Sequence, residues 1–310
     1  MAMAVLAVVL AAAAPSYFSA ENLSDLFLAN MPVFVVALGA TLVILAGEID
    51  ISVGSVFAVA GVVAGVVAKL GAPGGVWTTT AAACAVGAIV GAVNGALVAY
   101  LQVPSIVVTL AMMVALRDGL RWATEGAWVE NLPPDFQWFG LPQSWYPVLL
   151  LATLAILQSA IAWGMRHVAA GRMVYATGSN ASAARLAGID VAALKCWVFV
   201  VAGTLTALAA VLNAVRFNQI PGNGGLGLEM KVIAAVVVGG TAITGGRGTF
   251  TGTLLGVLLL GAIGPALTFL GVSAYWERAI QGAIILGAVT IDATRAWPAT
   301  RSPSPVVRHV

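Results

Sequence analysis

Apolar stretches separated by short polar or turn-rich breaks run the length of the chain. They fall near residues 1–15, 31–47, 53–70, 77–100, 105–122, 147–166, 195–215, 230–245, 250–270 and 276–295. Segments such as 232–240 and 254–263 are apolar at every position, so the alternating polarity of an outer-membrane barrel is missing. A helix needs roughly 20 apolar residues to cross a hydrocarbon core about 30 Å thick, and lipid satisfies no backbone donor. The pattern therefore predicts an all-α, polytopic membrane protein of about ten transmembrane helices, some of them broken or re-entrant. The first fourteen residues are apolar without a basic start, which reads as a short or truncated first helix rather than a signal peptide.

An even number of crossings puts both termini on one side, and the basic residues choose the side. Arg166, Arg172, Arg185 and Lys195 flank or occupy the 167–194 loop, and Arg295, Arg301 and Arg308 follow the last stretch. The opposite face holds Glu21, Asp25, Glu125, Glu130 and Asp135, with Trp122, Trp128, Trp138, Trp145 and Tyr146 around its longest loop. Aromatic rings favour the headgroup level, so the termini and the 167–194 loop are expected in the cytoplasm. Lys69, Arg117, Arg121, Arg216, Lys231 and Arg278 run against this bias. Residues 1–297 read as one transmembrane domain, and the Ser-Pro repeats of 298–310 as a disordered cytoplasmic tail.

Composition narrows the class. Hydrophobic residues make up 61% and charged residues 8%, with a mean hydropathy of +1.01, against about 25% charged residues in a typical soluble domain. A water-soluble surface cannot be built from that mixture. The formal net charge of +2 does not indicate nucleic acid. The 35 glycines suit helices that approach closely in lipid. Cys84 and Cys196 show no C-x-x-C spacing, and His167 and His309 are the only histidines, so no metal site, cofactor or histidine-based catalytic centre is expected. Lys69, Lys195 and Lys231 follow Ala, Leu and Met, so none completes a phosphate-binding loop and the chain is not read as an enzyme.

Three segments could carry function. In 45–54, Glu48, Asp50 and Ser52 interrupt nearly forty apolar residues. Acids at membrane depth are costly and usually face a cavity or a partner; the plainer reading is a tight turn in which Asp50 or Ser52 caps the next helix. In 171–190, Ser179 or Asn180 can cap a short helix over 181–187 and Gly188 can stop it. That helix is largely apolar, so it wants a partner, unless it rests on lipid headgroups. In 234–256, three glycines surround Arg247, which could bind an anion or simply snorkel at a helix end. The breaks at 47–52 and 245–248 hint at a repeated transporter core.

Four segments together resemble the ribose-type permease family of ATP-binding cassette importers: Ile49-Asp50-Ile-Ser52-Val-Gly54; Asn94-Gly95 followed by Val103-Pro104; Gly178-Ser179-Asn180-x-x-Ala183-Ala184-Arg185-Leu186-x-Gly188-Ile189; and Gly239-Gly240-Thr-x-x-x-Gly-Gly-Arg247-Gly248. The likeness runs over nearly the whole chain. It implies a multi-pass permease of the inner membrane that works as a pair with a second copy or a close homologue. It implies two further partners, a periplasmic or lipid-anchored solute-binding protein and an ATP-hydrolysing subunit, with alternating access driven by that ATPase. It also implies that Ser179 to Ile189 form the helix that docks on the ATPase. Asp50, Ser52, Asn94, Gly240 and Arg247 are then candidates for the translocation path or its structural motifs. Family members move ribose, xylose, galactose, inositol and autoinducer-2. Glu48 stands where the family usually has Gly. An ion-coupled secondary transporter, with Glu48 and Asp50 as proton or sodium sites, is the alternative.

Overall fold

The computed structural model describes residues 2–71, 73–273 and 275–296; the expected tail at 298–310 lies outside them. The described residues form α1 (Ala2–Ala13), α2 (Ala20–Leu45), α3 (Val53–Lys69), α4 (Val76–Ala99), α5 (Ser105–Thr124), α6 (Tyr146–His167), α7 (Ala169–Ser179), α8 (Ala181–Leu186), α9 (Val191–Ala214), α10 (Leu228–Val238), α11 (Phe250–Phe269) and α12 (Trp276–Ala296). Among them α2, α4, α6, α9 and α11 are long and apolar enough to cross a membrane.

Every apolar stretch contains a helix, but some boundaries move for local reasons. α2 begins at Ala20, not near residue 31, because Ser19 Oγ accepts the Asn22 N–H at 3.3 Å and Glu21 lies in the first turn, where a carboxylate complements the helix dipole. Its polar first turns stay exposed. α9 begins at Val191, not 195, since Asp190 Oδ1 takes the Ala193 N–H at 2.9 Å. α10 stops at Val238, well short of 245. Gly240 takes a φ of +91°, its N–H donates to the Val237 carbonyl at 2.9 Å and the Thr241 N–H donates to Val236 at 3.2 Å, a left-handed termination that suits glycine. α7 was not anticipated as a helix.

α9 sits at the centre and packs most closely on α4, then on α2 and α3. Gly87, Gly91 and Gly95 recur every fourth residue on α4 and face Gly203, Phe199 and Cys196 of α9, where a Cβ on any of the three would overlap backbone. Close approach through small residues is how helices associate without a hydrophobic driving force. α2 also joins α9 to a second group formed by α10, α11 and α12. There Thr41 and Thr253 share a hydrogen bond of 2.8 Å between α2 and α11.

Tyr146 is not part of an aromatic belt, contrary to expectation. It is buried, donates to the Leu212 carbonyl and meets Trp138 edge-on at 5.0 Å.

Candidate functional site

The 46–52 break is held by a buried polar chain. Asp50 Oδ1 accepts the Ser52 backbone N–H at 2.8 Å and the Ser52 hydroxyl at 2.6 Å, and Asn94 Nδ2 of α4 donates to Ser52 Oγ at 3.0 Å. Asp50, Ser52 and Asn94 are 5%, 0% and 0% exposed, so the acid faces protein. Ser52 occupies the N-cap position of α3 but makes no side-chain cap; its hydroxyl is committed to Asp50, which corrects the capping reading. The Ile49 N–H donates to Ser105 Oγ at 3.2 Å and Thr109 Oγ1 donates to the Ile49 carbonyl at 3.3 Å, which fastens the break to the start of α5. Glu48 forms an ion pair with Lys195 of α9, a pairing that gives the unexpected carboxylate a partner. Arg185 and Gln102 line the same polar cleft of about 220 Å³.

From Ile49 the chain climbs along α5. Ser55 Oγ donates to the Met113 carbonyl at 2.8 Å, and Arg117 Nε donates to Ser55 Oγ at 3.2 Å. Arg117 lies 12 positions after Ser105, about 18 Å along a helix rising 1.5 Å per residue. α3 therefore starts well inside the molecule. The 215–227 segment reaches the same level from the other end. Val129 and Ile220 exchange backbone hydrogen bonds of 3.0 and 2.9 Å, Ile220 lies beside Gly61 of α3, and Gly225 meets Gly54. α10 begins there, with Glu229 in its first turn 3.8 Å from Arg117. Two helices thus start in the interior, beside a charged pair. Arg117 had been expected at the outer boundary; it is half-buried and paired instead. Nothing in the sequence joined it to Glu229, which lies 112 positions away.

Three of the sequence segments converge on one junction. Gly47 follows α2 with φ +82°, Gly178 lies in the last turn of α7, and Gly245 lies between α10 and α11 with φ +87°. A Cβ on Gly245 would stand 2.8 Å from the Gly47 Cα, and one on Gly178 would overlap the Leu45 carbonyl and stand 2.6 Å from the Gly246 nitrogen. The Gly246 N–H donates to the Leu45 carbonyl at 3.0 Å, and Tyr175 OH donates to the Gly248 carbonyl at 3.2 Å. Burial pushes the Tyr175 phenol above its ordinary value. Gly240 and Arg247 stay outside the junction: Gly240 ends α10 with no neighbour where a Cβ would be, and Arg247 is exposed while its carbonyl accepts the Ala242 N–H at 2.9 Å.

The 180–189 segment is a short capped helix, as the residues suggested. Asn180 Oδ1 accepts the Ala183 N–H at 3.0 Å, and Gly188 closes α8 with φ +83°. The Ser179 hydroxyl instead donates back to the Tyr175 carbonyl at 2.8 Å. Ala183, Arg185 and Leu186 are exposed, Leu186 at 91%, and Ile189 is half-buried. Ala184 is buried within the chain. Among the described residues no three His, Cys, Asp or Glu side chains gather as a metal site would need.

Long apolar helices, helices that begin in the interior and glycine-to-glycine contacts define a multi-pass membrane protein of transporter type. The comparisons with known proteins fall in that class. A family model described as the permease component of a branched-chain amino acid transport system matches residues 22–289. The "Autoinducer 2 import system permease protein LsrC" of Yersinia pseudotuberculosis serotype O:1b (strain IP 31758) is 37% identical over 279 residues, covering 89% of this chain and 78% of that protein. The protein of the same name from Yersinia pestis (strain Pestoides F) is also 37% identical over 279 residues, with the same coverage. No solved structure gives a significant match. The chain belongs to the ribose-type permease family of ATP-binding cassette importers.

Proposed function

We propose that this chain is the transmembrane subunit of an importer that carries a sugar-like solute across the inner membrane by alternating access, powered by a partner ATPase. The observation that carries the reading is the glycine junction. It ties the end of α7, next to the capped and exposed α8, to both interrupted stretches of the bundle. A displacement imposed on α8 therefore has a direct backbone route to the breaks beside α3 and α10. Autoinducer 2, named for the relatives, is the first solute to try. A solute-binding protein outside and a second permease copy complete the assembly, in a lipid bilayer.

The proposed topology has ten crossings: α1 to α6 and α9 to α12. Both termini and α7–α8 then lie in the cytoplasm. The 11 residues of α10 span only about 16 Å, so 215–227 completes that crossing. The alternative, an ion-coupled transporter using Glu48 and Asp50, is weakened because Glu48 is already paired with Lys195 and Asp50 Oδ1 already accepts both the N–H and the hydroxyl of Ser52.

The test is Leu186→Asp. Burying one Leu contributes roughly 1.5–3 kcal/mol, so a charge there is expected to weaken docking of the cognate ATPase in a pull-down and abolish uptake, with membrane insertion unchanged. Full docking and uptake by a well-expressed variant would remove α8 as the coupling surface.

A further inference from the structure

A cavity of about 850 Å³ opens between the starts of α10 and α12, with Val33 of α2 on its wall. Its size falls within the range of small-ligand sites. Lys231 and Arg278 both line it, and among the described residues neither has an ion-pair partner within 4 Å. Arg278 Nη2 lies 3.9 Å from where a Gly227 Cβ would stand, so its guanidinium sits at the positive end of α10. Two carboxylates lie nearby, neither within 4 Å of these cations. Glu229 turns away to Arg117. Glu277 lines the same cavity as a counter-charge, with Oε2 2.6 Å from a Cβ position on Gly264 and Oε1 accepting from Gln281 Nε2 at 3.0 Å. Two cations, one carboxylate and a helix N-terminus thus line a space with largely apolar walls, leaving an excess of one positive charge. Cationic side chains lining a cavity inside a membrane protein mark a ligand or an ion path.

We propose that this cavity binds one anionic oxygen group, a carboxylate or a phosphate, held by Lys231 and Arg278 at the start of α10. The group can arrive on a soluble solute or on an anionic phospholipid headgroup entering from the side. Charge-assisted hydrogen bonds from a guanidinium and an ammonium, added to the free N–H groups of a helix start, suit either source. The soluble arm of the proposal is independent of the permease reading.

The full chain is reconstituted in nanodiscs and its thermal unfolding midpoint recorded. In discs of phosphatidylcholine alone, glucuronate or inorganic phosphate is titrated; in a second set, half of the lipid is phosphatidylglycerol. An increase of a few degrees, as expected when a ligand binds only the folded state, should appear with a soluble anion, with phosphatidylglycerol, or with both, and the pattern identifies the source. The increase should vanish in Lys231→Gln combined with Arg278→Gln, and it should appear at lower anion concentration in Glu277→Gln. No response to any anion, or an undiminished response in the double variant, would overturn the proposal.

Discussion

At the scale of single residues, Asp50 illustrates what a lone carboxylate in an apolar run can and cannot announce. Its cost in hydrocarbon made it conspicuous in the sequence. Its partner Ser52 stood two positions away but was read only as an alternative cap, and Asn94, 44 positions on, was legible only as part of a family motif. Asp50→Ala leaves the Ser52 N–H and hydroxyl with no acceptor in a buried place, at about 1–3 kcal/mol for each unsatisfied group. Asp50→Asn keeps an acceptor and is expected to lose less. Thermal unfolding of the two purified variants orders them; equal losses would mean that the charge, and not the acceptor, matters. Glu48 is the reverse case. It departs from the family pattern, and no local signal named Lys195 as its partner, because an ion pair across 147 positions is a property of packing. A double-mutant cycle with Glu48→Gln and Lys195→Met is expected to give a coupling of roughly 0.5–3 kcal/mol; additive losses would show that the pair contributes no stability.

At the scale of elements, the apolar stretches predicted where helices would be, because hydrocarbon leaves the backbone no other option. The errors fall at the ends, where short-range hydrogen bonds decide. Ser19 and Asp190 each lengthened a helix by taking an early N–H, and Gly240 shortened α10. α7 was missed because its 169–179 stretch is too short and mixed to register as a span. The glycine spacing on α4 was visible as abundance, but the facing element was not, since a small residue gives no clue to its neighbour. Gly91→Leu is expected to separate α4 from α9, because even a Cβ there overlaps the Phe199 carbonyl. Ile89→Ala, on the exposed face of α4 two residues away, serves as the control and should leave the unfolding midpoint nearly unchanged. Comparable shifts in both variants would argue against close packing as the source.

At the scale of the whole molecule, the four motifs were legible one at a time, and their meeting was not. Gly47, Gly178 and Gly245 are spread over 199 positions, and hydrophobic periodicity cannot report a contact made by residues without side chains. Gly178→Ala places a methyl group against the Leu45 carbonyl, so transport by the assembled importer is expected to fall by at least tenfold, about 1.4 kcal/mol or more in the rate-limiting barrier. Expression and ATPase docking should persist, because α8 is untouched. Normal uptake by that variant would show that the junction tolerates loosening. The same junction has a mechanical consequence. Where side chains separate two elements, small displacements are absorbed by rotamer changes before anything beyond them moves. Here carbonyls, amides and α-carbons touch directly, with no rotamers between them. On the proposed mechanism such a joint would have little backlash: a push on the end of α7 would pass into Leu45 and Gly246 together, as motion through meshed teeth does.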